Sequence, residues 1–270
     1  MTGPDHDQLL TVVERELRSV RRNPALLALV GGLVLVVVGV ARLRGAGYIP
    51  LALDLVTVLE FLLPVVAFAL GYRSLLADRV RGELDMLRTY PIDRTTLVVG
   101  IFLGRAIPLL AGLIGSLVVA GVVVSMVGGP RSTVLATHTG GDAPVLFGRF
   151  IVLSAAFALV ALAVALAISA SAASARRALA LAGGLLVALV IGFDLAVIGG
   201  LGGGLVPDPL LEWLIAVSPN SAYRGLVLET VVAPVSADGG ATANPAASAI
   251  GLGAWLLGAL GVAVRSVWSP

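Results

Sequence analysis

The residues best placed to do chemistry are three carboxylates inside apolar runs, Asp54, Glu60 and Asp194. An ionisable group at membrane depth is costly, and it persists where it pairs, stays hydrated, or carries a proton or ion along a pathway. Asp54 and Glu60 are six positions apart, about 120° round a helix at roughly 100° per residue, so they need not face one cavity. Asp54 and Asp194 fall near the outer interface, where either hydration or a place on the pathway accounts for them. Glu60 lies deeper and is the better candidate for a pathway residue.

Two nearby carboxylates can also share a proton, as an intramembrane aspartyl protease requires. Gly192-Phe193-Asp194 lacks the glycine such an enzyme places just before its aspartate, and no tyrosine immediately precedes Asp54. The histidines are His6 and His138, one near the amino terminus and one in a polar loop, so no serine-histidine or histidine-metal site forms at membrane depth. Cysteine is absent, which removes thiolate chemistry. All eighteen basic residues are arginine, which removes a Walker A lysine and a Schiff-base lysine. The chain is therefore expected to be no enzyme and to hold no metal or cofactor of its own.

The elements that position these carboxylates follow from composition. At 58% hydrophobic and 13% charged, with a mean hydropathy of +1.03, 270 residues cannot cover a water-soluble globule. The predicted class is an all-α integral membrane protein with six transmembrane helices. Apolar runs near the length that crosses the hydrocarbon core lie at 25–41, 48–72, 97–127, 147–171, 178–200 and 247–264. They lack the alternation of a barrel. Residues 1–23 are polar, with Leu9, Leu10, Val13, Leu17 and Val20 set against Arg15, Arg18, Arg21 and Arg22. That pattern suits a helix lying in the interface among anionic headgroups, and a signal peptide is the lesser alternative.

Arginine placement orients the bundle. Twelve arginines fall in the amino-terminal segment, in 73–94, at Arg176 and Arg177, and at Arg265, against five on the other side and Arg105 inside the third span. Both termini are thus expected in the cytoplasm of a cell whose plasma membrane holds the protein. Residues 128–146 read as a flexible outer loop. Residues 201–245 read as a re-entrant loop, two half-helices joined at Ser218-Pro219-Asn220-Ser221. The arginines flank spans and form no patch, so nucleic acid is not an expected partner, whereas membrane lipids are.

Residues 73–94 form a charge-dense island with five of the eighteen Lys+Arg and four of the sixteen Asp+Glu. Val80, Leu84 and Leu87 recur at helical spacing among Arg79, Arg81, Glu83, Asp85 and Arg88, which predicts a short amphipathic helix. Pro91 ends it, and Asp93 is placed to cap the next helix near Thr95 or Thr96. Gly100 and Gly104 make a GxxxG that permits close helix approach, more readily within one bundle than as a dimer contact. Periodicity leaves two readings of the island open: an ordinary polar loop, and a handle by which a soluble partner moves the bundle.

The run Gly82-Glu83-Leu84-Asp85-Met86-Leu87-Arg88-Thr89-Tyr90-Pro91-Ile92-Asp93-Arg94, followed by Gly100-Ile101-Phe102-Leu103-Gly104, resembles the signature of ABC-2 type permeases. That family carries Gly-Thr-Leu-x-x-Leu-Leu-x-x-Pro, then Ile or Val, x and Arg, after its second span, and Gly-Lys-x-x-Gly beyond. Glu16-Leu17-Arg18 to Arg22-Asn23-Pro24 is similar to the family's interfacial elbow helix. Ser218-Pro219-Asn220-Ser221-Ala222-Tyr223-Arg224 is similar to its Asn-Pro-x-x-x-Phe-Arg element. Within the family the likeness is greatest to NosY-like permeases, the membrane subunit of the exporter serving nitrous oxide reductase maturation. Glu83 stands where Thr or Ser is usual, Arg88 replaces a leucine and Ile101 the lysine, which keeps the amphipathic face and the proline exit.

The resemblance implies a single type V exporter-like transmembrane domain over 1–270, paired as a homodimer or heterodimer and bound to two copies of a separate ATPase. ATP and Mg²⁺ would sit on that ATPase. Residues 79–94 would form its coupling helix, with Leu84 and Leu87 as buried contact, Arg79, Arg81, Glu83 and Arg88 as rim, and Pro91 and Arg94 at the exit. The rival readings are a scaffold or sensor subunit that pumps nothing, and a secondary transporter of another class.

Overall fold

The computed structural model describes residues 6–44, 47–80, 82, 92–127, 143–188, 216–235 and 244–268. Regular structure among them is helical throughout: α1 (His6–Arg22), α2 (Pro24–Arg44), α3 (Tyr48–Gly71), α4 (Ser74–Val80), α5 (Arg94–Val127), α6 (Pro144–Ser171), α7 (Ala175–Val187), α8 (Pro219–Val227) and α9 (Pro245–Ser266). A π-helical turn, Leu228–Val232, and a 3₁₀ turn, Ala233–Val235, extend α8. Five stretches are long and apolar enough to cross a membrane: Pro24–Leu43, Tyr48–Val80, Arg94–Met126, Pro144–Ser171 and Pro245–Ser266. Of the expected span at 178–200, α7 is the described part. Residues 189–200, with Asp194, lie outside the described residues, as does the outer loop at 128–142.

Helix starts are written locally. Asn23-Pro24, Ser218-Pro219 and Asn244-Pro245 each put a polar cap before a proline at the first helical position, where the missing N–H costs nothing. Asn23 Oδ1 accepts from the N–H of Ala25 at 3.1 Å, Ser218 Oγ from Ser221 at 3.3 Å, and Asn244 Oδ1 from Ala246 at 3.0 Å. The expected cap at Asp93 is present too, its Oδ2 accepting from the N–H of Thr95 at 3.2 Å.

α6 is the central post, packed against α3, α9, α5 and α8. Its run from Val160 to Leu166 is buried on every side, and the small residues Ala161, Ala163 and Ala165 let neighbours approach closely. α2 is peripheral: it buries Leu33 and Val37 but exposes Leu35 and Leu43, as a helix facing lipid acyl chains would.

The amphipathic α1 packs along α5, with a rotation that the residue pattern does not anticipate. Val12, Glu16 and Val20 are buried, whereas Leu10 is 58% exposed. The reason is the GxxxG of α5. A Cβ at Gly100 would lie 2.6 Å from Val12 Cγ1, and one at Gly104 would lie 2.5 Å from Glu16 Cβ. The two glycines are therefore the groove in which α1 rests, and this contact lies within one chain. Substituting Gly100→Leu should push α1 off α5 and raise tryptic cleavage at Arg18 and Arg21 severalfold. Gly115→Leu, whose Cβ would meet nothing within 4 Å, should leave the digestion pattern unchanged.

Candidate functional site

At the α1 end of the bundle, four charged side chains from three helices form one continuous network. Arg105 donates from Nε to Glu16 Oε2 at 3.0 Å, and its Nη2 lies 2.9 Å from the same oxygen. Its Nη1 donates to the Leu70 carbonyl near the end of α3, where helical carbonyls lack a partner of their own. Glu16 Oε1 also accepts from Arg15 Nη2 at 3.1 Å, and Arg15 Nη2 reaches Asp78 Oδ2 at 2.8 Å. Glu16 and Asp78 are each 4% exposed and Arg105 9%. Burial lowers the Arg15 pKa, but Asp78 and Glu16 outweigh it and the net shift is upward, so Arg15 stays charged at any working pH.

α4 carries a second junction. Arg79 Nη1 donates to the Ala172 carbonyl at 3.0 Å, and Nη2 to those of Ala170 at 2.9 Å, Ser266 at 3.2 Å and Val267 at 3.3 Å. These carbonyls end α6 and α9, the negative poles of both helix dipoles, and one guanidinium caps both. Arg79, which the resemblance assigns to the rim of a partner contact, thus directs its charge into the bundle. Gly82 has a φ of 74°, and its N–H returns to the Arg79 carbonyl at 3.0 Å. This left-handed residue ends α4, so the helix that holds Val80 does not run on through Gly82 as the spacing predicts. Val80 is 71% exposed. Arg81, Glu83, Leu84, Leu87, Arg88 and Pro91 lie outside the described residues, and Arg94 opens α5 with its side chain exposed.

The third junction uses Glu60, 4% exposed in the middle of α3. Arg224 of α8 grips it with both edges of the guanidinium, Nε to Oε1 at 2.7 Å and Nη2 to Oε2. Pro64, four residues on, has no N–H and leaves the Glu60 carbonyl without its helical donor. Asn220, one turn before Arg224 on α8, supplies Nδ2 to that carbonyl at 3.5 Å. α8 is held further by Tyr223, fully buried, whose hydroxyl lies 2.8 Å from Ser154 Oγ and whose ring stacks on Phe157 at 4.7 Å. Arg149 of α6 donates to the Thr230 carbonyl at 3.1 Å, and Trp255 of α9 to that of Val217 at 2.8 Å.

Of the expected pathway carboxylates, Glu60 is therefore buried and ion-paired, and Asp54 is half-buried about one and two-thirds turns earlier on α3. Among the described residues no three His, Asp or Glu side chains converge as a metal site. The residue pattern does not single out Glu16, Arg15, Asp78 or Arg105 as a unit. A signal was present: Arg105 in an apolar run demands an anion, and Glu16 interrupts the stripe shared by Val13 and Val20 on α1.

A family model described as ABC-2 family transporter protein matches residues 48–267. A protein of Pseudomonas aeruginosa named "Probable ABC transporter permease protein NosY" is 31% identical over 228 residues, 79% of this chain and 79% of that protein. One of the same name from Stutzerimonas stutzeri is 30% identical over 229 residues, 81% of this chain and 80% of its own length.

The buried network can be tested by a double-mutant cycle. Glu16→Leu strands the Arg105 guanidinium among apolar neighbours and should cost about 3–5 kcal/mol. Adding Arg105→Leu removes the stranded charge and should recover most of that loss, read from the thermal unfolding midpoints of the single and double variants in detergent.

Proposed function

The chain belongs to the ABC-2 family of transporter proteins, and on that premise we propose that it is the NosY-like permease subunit of an ATP-driven exporter whose hydrolysing subunit is a separate protein. In this reading the whole of 1–270 is one transmembrane domain with six spans, the fifth along the chain being formed by α7 and the residues after it. α1 is the interfacial elbow helix, 73–94 the coupling segment, and 201–245 the re-entrant segment. Both termini face the cytoplasm across the plasma membrane, two permease copies pair, and each engages one ATPase that holds ATP and Mg²⁺.

The observation that carries this reading is the Arg79 junction. A segment that merely connects two spans has no need to be tied to the ends of two others. Arg79 joins α4, immediately before the coupling residues, to the last carbonyls of α6 and α9. Motion imposed on 83–90 by a closing ATPase would then reach three helices at once, displacing α3 through the chain and α6 and α9 through one guanidinium. A rigid shift of that kind is how nucleotide binding biases a bundle between inward- and outward-open arrangements. Leu84 and Leu87 would bury in the ATPase cleft within a rim of Arg81, Glu83 and Arg88. At the other junction, Arg224 and Asn220 hold the re-entrant segment to Glu60, which would serve as an outer gate on a pathway also touching Asp54 and Asp194.

Three variants separate these roles. Glu83→Arg with Leu87→Asp should weaken co-purification of the ATPase by roughly 100-fold or more; undiminished association would sink the docking assignment. Arg79→Met should retain the ATPase yet lower ATP turnover by the complex, because contact survives and transmission does not. Glu60→Gln should leave assembly intact and slow transport, and transport at the wild-type rate would remove Glu60 from the pathway.

A further inference from the structure

A cavity of about 650 Å³ lies between α1, the first turns of α2, and the corner joining α3 to α4. Its walls differ in chemistry. α1 and the α3–α4 corner contribute Arg15, Ser19 and Arg73, whereas α2 and the last turn of α3 contribute Leu26, Leu29 and Ala69. Three arginines and two carboxylates line it, but the carboxylates are already engaged, Asp78 by Arg15 and Glu16 by Arg15 and Arg105.

Donors are left over. Arg73 is exposed and makes no side-chain hydrogen bond or ion pair among the described residues. Arg15 engages its two carboxylates through Nη2, which leaves Nη1 and Nε. Asn23, also on the lining, uses Oδ1 to cap α2, which leaves its Nδ2 donor without a hydrogen bond among the described residues. A surplus positive charge with several N–H donors on one wall, and an aliphatic surface on the other, is complementary to an amphiphilic anion.

We propose that this cavity binds an anionic phospholipid, its phosphodiester on Arg73 and Arg15 and the start of its acyl chains along Leu26 and Leu29. A soluble phosphate would use the donors but leave the aliphatic wall wet. That wall begins at the first residues of a helix long enough to cross a membrane, the depth at which a headgroup passes into hydrocarbon. The net charge of the lining favours phosphatidylglycerol over a zwitterionic phosphodiester lipid. The lipid would brace α1 against the α3–α4 corner, beside the Arg15–Asp78 pair that already joins α1 to α4. The inference rests on the interfacial placement of α1 proposed above and does not require ATPase docking.

Native mass spectrometry of the purified full chain in detergent tests it, with phosphatidylglycerol, phosphatidylcholine and glycerol 3-phosphate titrated separately. Phosphatidylglycerol should bind at least about tenfold more tightly than phosphatidylcholine. Arg73→Glu should lose roughly tenfold in that affinity, and Arg73→Lys should retain it. Arg22→Glu, an exposed change on α1 outside the cavity, should bind as wild type does. Equal retention of phosphatidylglycerol by Arg73→Glu and wild type would overturn the proposal, as would displacement of the lipid by glycerol 3-phosphate at equal concentration. Co-purification of the ATPase with Arg73→Glu, measured in parallel, reports on the coupling reading separately.

Discussion

A charge inside an apolar bundle must find its opposite on another helix, and this requirement ties the structure together. Arg105 would be intolerable in α5 without Glu16, and Glu16 equally so on the buried face of α1 without Arg105. Their pairing is possible because Gly100 and Gly104 let α1 sit close enough to α5 for a short carboxylate to reach. The same rule binds α4 to α1 through Asp78 and Arg15, and α8 to α3 through Arg224 and Glu60. Dispersion and small-residue packing bring these helices together, since lipid competes with every apolar contact. The ionic contacts, which lipid chains cannot replace, set which faces meet.

Unpaired backbone groups follow the same logic at lower charge. Pro64 frees the Glu60 carbonyl, and Asn220 meets it, so one turn of α3 offers α8 both a carboxylate and a carbonyl. The ends of α6 and α9 present carbonyls without helical donors, and Arg79 meets four of them. The places where a helix is locally incomplete are thus the places where another element is fastened. Such fastenings are directional, unlike aliphatic packing, and a displacement of α4 or α8 must carry its partners along or break several hydrogen bonds together.

Much of the architecture was legible residue by residue. Apolar length marks the five crossing helices, and Asn23-Pro24, Ser218-Pro219 and Asn244-Pro245 mark starts, because hydropathy, capping and proline geometry each act within a few positions. Asp93 as a cap, Glu60 as the deep carboxylate and Gly100 with Gly104 as a close-approach surface belong to that local class. The island was legible as charged and amphipathic, yet α4 at its start stops at Val80, since a left-handed Gly82 outweighs a hydrophobic period there. Arg79 reads as a surface charge from its neighbours in the chain, because nothing local says that the ends of α6 and α9 lie beside it.

The amino-acid sequence alone determined the class, an α-helical membrane protein without lysine or cysteine chemistry, together with the residues that could not stay unpartnered. Tertiary structure decided the partners: Glu16 with Arg105 across 89 positions, Glu60 with Arg224 across 164, and Arg79 with carbonyls as many as 188 away. Local patterns state that a buried charge needs a counter-charge. Which one it receives depends on the rotation and approach of whole helices, set by every side chain between them at once.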